Sequence, residues 1–154
     1  MNQRELSVVL RELARSQQTP LCEQWTKEWH DDSTMDMLFD KFFRGQDFCI
    51  QNDYPSIDFI KKNFSKEELH RHHVYIDENV DVVANESGYY AFLGNCSGGL
   101  RIDGIVAATV YVRHSCNMYV LSKGGAKVSV FSCDNSRVEC ESDGFSLIKK
   151  YIKK

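Results

Sequence analysis

What the chain has little of narrows the reading first. It holds 2 prolines in 154 residues, which excludes polyproline spacers and Pro-rich linkers. No window approaches the roughly 18–20 apolar residues in a row that cross a bilayer, so no membrane partner is expected. The opening residues, MNQRELSVVLRELARSQQ, set Arg4 and Glu5 before a short, interrupted apolar run, unlike the continuous core of an export signal. Neither sign of charge dominates. The 19 Lys and Arg against 22 Asp and Glu leave a net charge of −3, which gives no reason to expect a nucleic-acid partner. The 6 cysteines form no CxxC pair, and without an export signal they read as thiols of a reducing compartment. The expected location is cytoplasmic.

What is present reads as folded. Hydrophobic residues make up 42% and charged residues 27%, a globular balance that speaks against wholesale disorder. The first half has helical spacing. Leu6, Val9, Leu10 and Leu13 recur on one face, and Leu21, Trp25 and Trp29 follow at i, i+4 and i+8 after a helix start at Thr19-Pro20. Met35 to Arg44 forms a third helix with Leu38, Phe39, Phe42 and Phe43 on its apolar face, and Gly45 supplies the stop. Gln46 to Tyr54 reads as a connector. A segment with Ile57, Ile60 and Phe64 is helical again, and Ser65 to Glu68 has the capping-box form that opens a last short helix.

The second half is strand-like and repetitive. Val110 and Val112, then Val128 and Val130, alternate with polar or aromatic neighbours. Turn-formers recur at Asn95-Cys96-Ser97-Gly98-Gly99, Asp103-Gly104, Lys123-Gly124-Gly125 and Ser142-Asp143-Gly144. An offset of 18 aligns Ala84, Ile102, Val120 and Val138 in one column, and Phe92, Val110 and Val128 in another. The predicted fold is therefore α+β: a small helical domain over 1–76 capping a β-solenoid of about 18 residues per coil over 77–154. An antiparallel β-meander is the alternative, because the same turns could close hairpins.

Leu21-Cys22-Glu23 with Trp25 and Trp29, Arg44-Gly45-Gln46-Asp47-Phe48-Cys49, and the repeats Ala108 to His114 and Ala126 to Val130 resemble uncharacterised proteins of gut Bacteroidales. The resemblance covers most of the chain. It implies a helical domain followed by β-helical repeats, and brings no activity or catalytic residue with it.

The candidates for chemistry are few. His70 and His73, at i and i+3 beside His72, could share a helix face near Asp77 and Glu78, but no spacing matches a standard zinc motif. Cys96 lies in a glycine-rich turn with His114 18 residues on, which in an 18-residue coil would stack the imidazole over the thiol. No catalytic residue, metal or cofactor is assigned. The expected function is a non-catalytic interaction or structural module that meets a protein partner, or a second copy of itself, through the outward residues Tyr111, Arg113, Ser129 and Phe131. The alternative is an enzyme or small-ligand binder with its site at the junction of the halves, near Cys49, His70, His72, His73, Cys96 and His114.

Overall fold

The computed structural model describes residues 2–17 and 29–153, and the chain divides into two compact units, Met1–Ser65 and Lys66–Lys154. In the first unit α1 (Gln3–Arg15) opens on Asn2, whose side chain accepts the Glu5 amide at 2.8 Å. Its inner face, Leu6, Leu10 and Ala14, packs with Trp29, Leu38, Cys49 and Tyr54. The expected helix start at Thr19-Pro20 and the side chains of Leu21 and Trp25 lie outside the described residues. Trp29 is buried, and its indole N–H donates to Ser7 Oγ at 3.2 Å.

α2 (Met35–Arg44) has the predicted limits and is capped by Thr34. The predicted connector after it is instead a helix, α3 (Gln46–Asn52). Gly45 acts as a joint. Its amide donates to Lys41 O at 2.9 Å and its carbonyl accepts from Cys49 at 3.0 Å, so hydrogen bonding passes through the bend. Asp53, in the left-handed conformation, ends α3, and α4 (Ile57–Asn63) starts on the Ser56 cap.

The second unit begins with α5 (Lys66–Arg71), which packs against the first strand. Among the described residues nine strands follow. β1 (Val74–Ile76), β3 (Gly88–Leu93), β5 (Ala107–Val112), β7 (Lys127–Cys133) and β9 (Leu147–Lys153) make one sheet in that order. β2 (Asn79–Ala84), β4 (Ser97–Asp103), β6 (Asn117–Lys123) and β8 (Arg137–Ser142) make the other. Every pairing is parallel, which gives a solenoid of about four coils and excludes the meander.

The period needs correction. Ala107 pairs with Lys127, Lys127 with Leu147 and Asn117 with Arg137, so the main repeat is 20 residues and not 18. The 18-residue offset holds only between β2 and β4, as in Ala84 opposite Ile102. The physical reason is that side chains alternate with a period of two, so any even offset sets inward residues on inward residues. Corners carry the distinguishing signal. Gly94, Gly104, His114, Gly124, Asp134 and Gly144 each occupy the turn, at steps of ten residues. Several of these need φ > 0, including Gly124 at +67°, His114 at 57° and Asp134 at 57°.

Inside, Phe92, Leu100, Ile102, Val110, Val120 and Val130 form one continuous buried core. The inward column Tyr90, Val110, Val130 ends in Lys150 on the last strand, and its ammonium donates to Val138 O at 3.3 Å. A charge at an inward position of an edge strand discourages pairing with another chain.

Candidate functional site

The outward side of the sheet containing β5, β7 and β9 carries an aromatic ladder. Tyr111 stacks on Phe131 at 5.2 Å between centroids, Phe131 stacks on Tyr151 at 5.0 Å, and the Lys153 ammonium lies 5.1 Å from the Phe131 centroid. The ladder follows from register, since Tyr111, Phe131 and Tyr151 are ladder neighbours. Each stacked pair adds about 0.5–1.5 kcal/mol beyond its buried area. The rings lie 14° and 19° from parallel, so their faces are spent on one another and mostly edges reach outward. A sugar or nucleobase platform needs free faces.

Of the predicted interaction residues, Tyr111, Ser129 and Phe131 point outward and are half-buried. Arg113 does not. It is 2% exposed, because it follows the end of β5 at a corner where the simple alternation stops, and its column is buried at Leu93, Arg113 and Cys133 before Lys153 reopens it on the last strand.

The residues expected around a junction site each have a place within their own unit. Cys49 is 1% exposed in the helical core. His70 Nε2 lies 2.7 Å from Glu78 Oε2, and Lys66 Nζ lies 3.1 Å from Glu78 Oε1. Burial pushes the Glu78 carboxyl up, but the hydrogen bonds and charges of His70 and Lys66 outweigh it and hold the group below its ordinary value. His72 Nδ1 sits 3.0 Å from Glu68 O, while His73 stacks on Tyr90 at 4.3 Å. The three imidazoles diverge. Among the described residues no group of three or more His, Cys, Asp or Glu side chains is arranged to hold a metal ion.

The Cys96–His114 pairing also changes with the period. Twenty residues on from Cys96 is Cys116, whose Sγ accepts the Cys96 amide at 3.3 Å. Cys96 Sγ lies 3.3 Å from the carbonyl oxygens of Tyr75 and Leu93 and is 1% exposed, while its contact with Cys116 pulls the thiol pKa down to about 7. Contact with Cys96 and burial push the Cys116 thiol well above its ordinary range. His114 instead serves the corner. Its Nδ1 accepts the Gly94 amide at 3.1 Å, and its own amide donates to Asp134 Oδ2 at 3.0 Å.

In the helical unit, an open concavity of about 560 Å³ is lined by His30, Asp36, Met37, Asp40, Lys41 and Arg44. Asp40 and Arg44 pair across it at 3.2 Å in an exposed i,i+4 bridge of the ordinary helical kind.

Sequence reasoning missed the most exposed apolar residues. Ile105 is 93% exposed and Phe145 89%, both at the corner tips that follow Gly104 and Gly144, with Leu147 at 60% beside them. The available signal was a large apolar side chain directly after a turn glycine, where a polar residue is ordinary. Between them in the corner column stands Gly125, whose site for a Cβ would lie 3.5 Å from Ile105 Cγ1. Comparison with protein-family models, curated proteins and solved structures gave no match.

Proposed function

We propose that the protein is a non-catalytic protein-interaction module whose solenoid supplies the recognition surface. The observation that carries this reading is the exposed apolar corner of Ile105, Phe145 and Leu147. Single exposed apolar residues are normal, but Ile105 and Phe145 in one corner column, with Leu147 two residues further on, form an apolar edge of the kind that marks an interface. The geometry around the candidate nucleophile and the imidazoles supports the same reading. Cys96 faces carbonyl oxygens, and His70, His72 and His73 each engage a different partner.

Fully burying a side chain of this size contributes about 1.5–3 kcal/mol, or roughly ten- to a hundredfold in affinity. The test is affinity capture with tagged protein beside the doubly substituted Ile105→Ser/Phe145→Ser protein, together with sedimentation of each alone. A stoichiometric partner or self-association present in the parent and lost in the variant supports the module. Identical behaviour of the two proteins refutes it.

A further inference from the structure

The apolar corner has a shape that restricts what it can take. Ile105, Gly125 and Phe145 belong to successive coils, and coils are spaced by one strand separation of about 4.8 Å. Ile105 and Phe145 therefore stand about 10 Å apart, backbone to backbone, over Gly125, with the Asp103 carboxylate lying over the adjacent Gly124. Less the thickness of the two side chains themselves, that spacing leaves a slot for one apolar side chain.

Charge is distributed unequally around the slot. On the side toward β5, β7 and β9, the outward strand positions carry Lys127, Lys149 and Lys153 and no carboxylate. Lys127 and Lys149 are exposed. On the opposite side Lys123 stands between Asp103 and Asp143, so that border is mixed in sign where the side toward β5, β7 and β9 is only basic. Asp143 accepts the amides of Gly124 and Phe145, each at 3.0 Å, so it is committed to the corner itself, and these hydrogen bonds hold its carboxyl below the ordinary value.

We propose that the slot between Ile105 and Phe145 receives one apolar side chain of an acidic segment of a protein partner, whose carboxylates lie over Lys127 and Lys149. The proposal rests on the interaction reading above. The charge pattern favours an acidic peptide over nucleic acid, because Asp103 and Asp143 border the slot and the neighbouring rings of the ladder are stacked on each other instead of open to bases. The two borders also orient the partner, with its acids on the lysine side and its uncharged residues toward Asp103 and Asp143.

The experiment is selection of displayed random peptides on the whole protein, followed by fluorescence-anisotropy titration of the enriched peptide. Parallel titrations use a labelled oligothymidylate and phosphatidylserine vesicles. The expected peptides carry one Leu, Ile, Met or Phe next to Asp or Glu. Their affinity should fall roughly tenfold or more in Lys127→Glu/Lys149→Glu and in Ile105→Ser/Phe145→Ser, and should be unchanged in Lys62→Glu, an exposed lysine of the other unit. Far-UV circular dichroism checks that the variants fold. Peptides without acidic residues that are still lost in Ile105→Ser/Phe145→Ser would overturn the acidic partner and leave the interaction module standing. Peptides indifferent to both variants, or no enrichment at all, would overturn both. Tighter binding of the oligonucleotide or the vesicles, abolished by the lysine substitutions, would replace the acidic partner with a phosphate-bearing one.

Discussion

Asp134 offers a direct test of how the corners hold the coils together. Its φ of 57° lies in the left-handed region, and its Oδ2 accepts the His114 amide one coil earlier at 3.0 Å. Two separable effects meet in one residue. Alanine removes the acceptor, worth about 1 kcal/mol at an exposed site, and also brings a Cβ strain of about 1–2 kcal/mol that Asp and Asn tolerate better. The expected cost of Asp134→Ala is therefore about 2–3 kcal/mol. Glycine loses the same acceptor but carries no strain, so Asp134→Gly should cost about 1 kcal/mol. Asparagine keeps both an acceptor and the left-handed tolerance, and Asp134→Asn should be near neutral. With a shift of about 4–8 °C per kcal/mol for a unit of this size, the series spreads over a readily resolved range of Tm. Thermal unfolding followed by the strand signal in circular dichroism is the assay. Equal losses for Ala and Gly would show that strain at the corner plays no part, and an Ala variant as stable as the parent would refute the role given to the Asp134 corner altogether.

Other outcomes follow from the same structure. Leu100→Ala, at a core side chain 1% exposed, should cost about 2–5 kcal/mol by denaturant titration, since adjoining coils restrict collapse around the void. Tyr54→Phe removes the bond to Leu10 O at 2.7 Å and leaves that carbonyl buried, a loss of about 1 kcal/mol in the same measurement. Glu78 has a depressed pKa, so its stabilisation is present above its unfolded value and lost as pH falls through the folded one. Glu78→Gln should therefore flatten the acid limb of stability against pH, and an unchanged limb would exclude the His70–Lys66 cluster as its cause. Lys150→Val continues the inward valine column onto the free edge of β9, and sedimentation should then show concentration-dependent association absent from the parent.

The sequence made the class of each half legible because hydrophobic periodicity is set by the backbone. Spacing of three and four marked α1 and α2, and alternation marked β5 and β7. Parallel stacking was legible in the matched columns. The length of the coil was not, because alternation is satisfied by 18 and by 20 alike, and the tie is broken only by corner residues such as His114 and Asp134 that do not look like glycine. The same two-residue error displaced the partner of Cys96 from Cys116 to His114. Arg113 was misplaced because alternation was carried one residue past the end of a strand. The apolar corner was readable at Gly104-Ile105 and Gly144-Phe145. It was overlooked because turns are searched for polar residues, while exposure of a large side chain at a turn depends on what neighbouring coils place beside it.

The ten-residue spacing of the corners bears on how such a chain can change over time. Loss or duplication of a half-coil, about ten residues, would shift every later strand to the opposite sheet. Because ten is even, each inward side chain would remain inward, and the core would register little difference. What would change is the outside: rows rich in lysine and aromatic rings would exchange places with rows bearing Glu139 and Glu141. In-frame slippage within the gene could thus redraw the surface wholesale while leaving the interior intact, a route to new partners that point substitution alone reaches slowly.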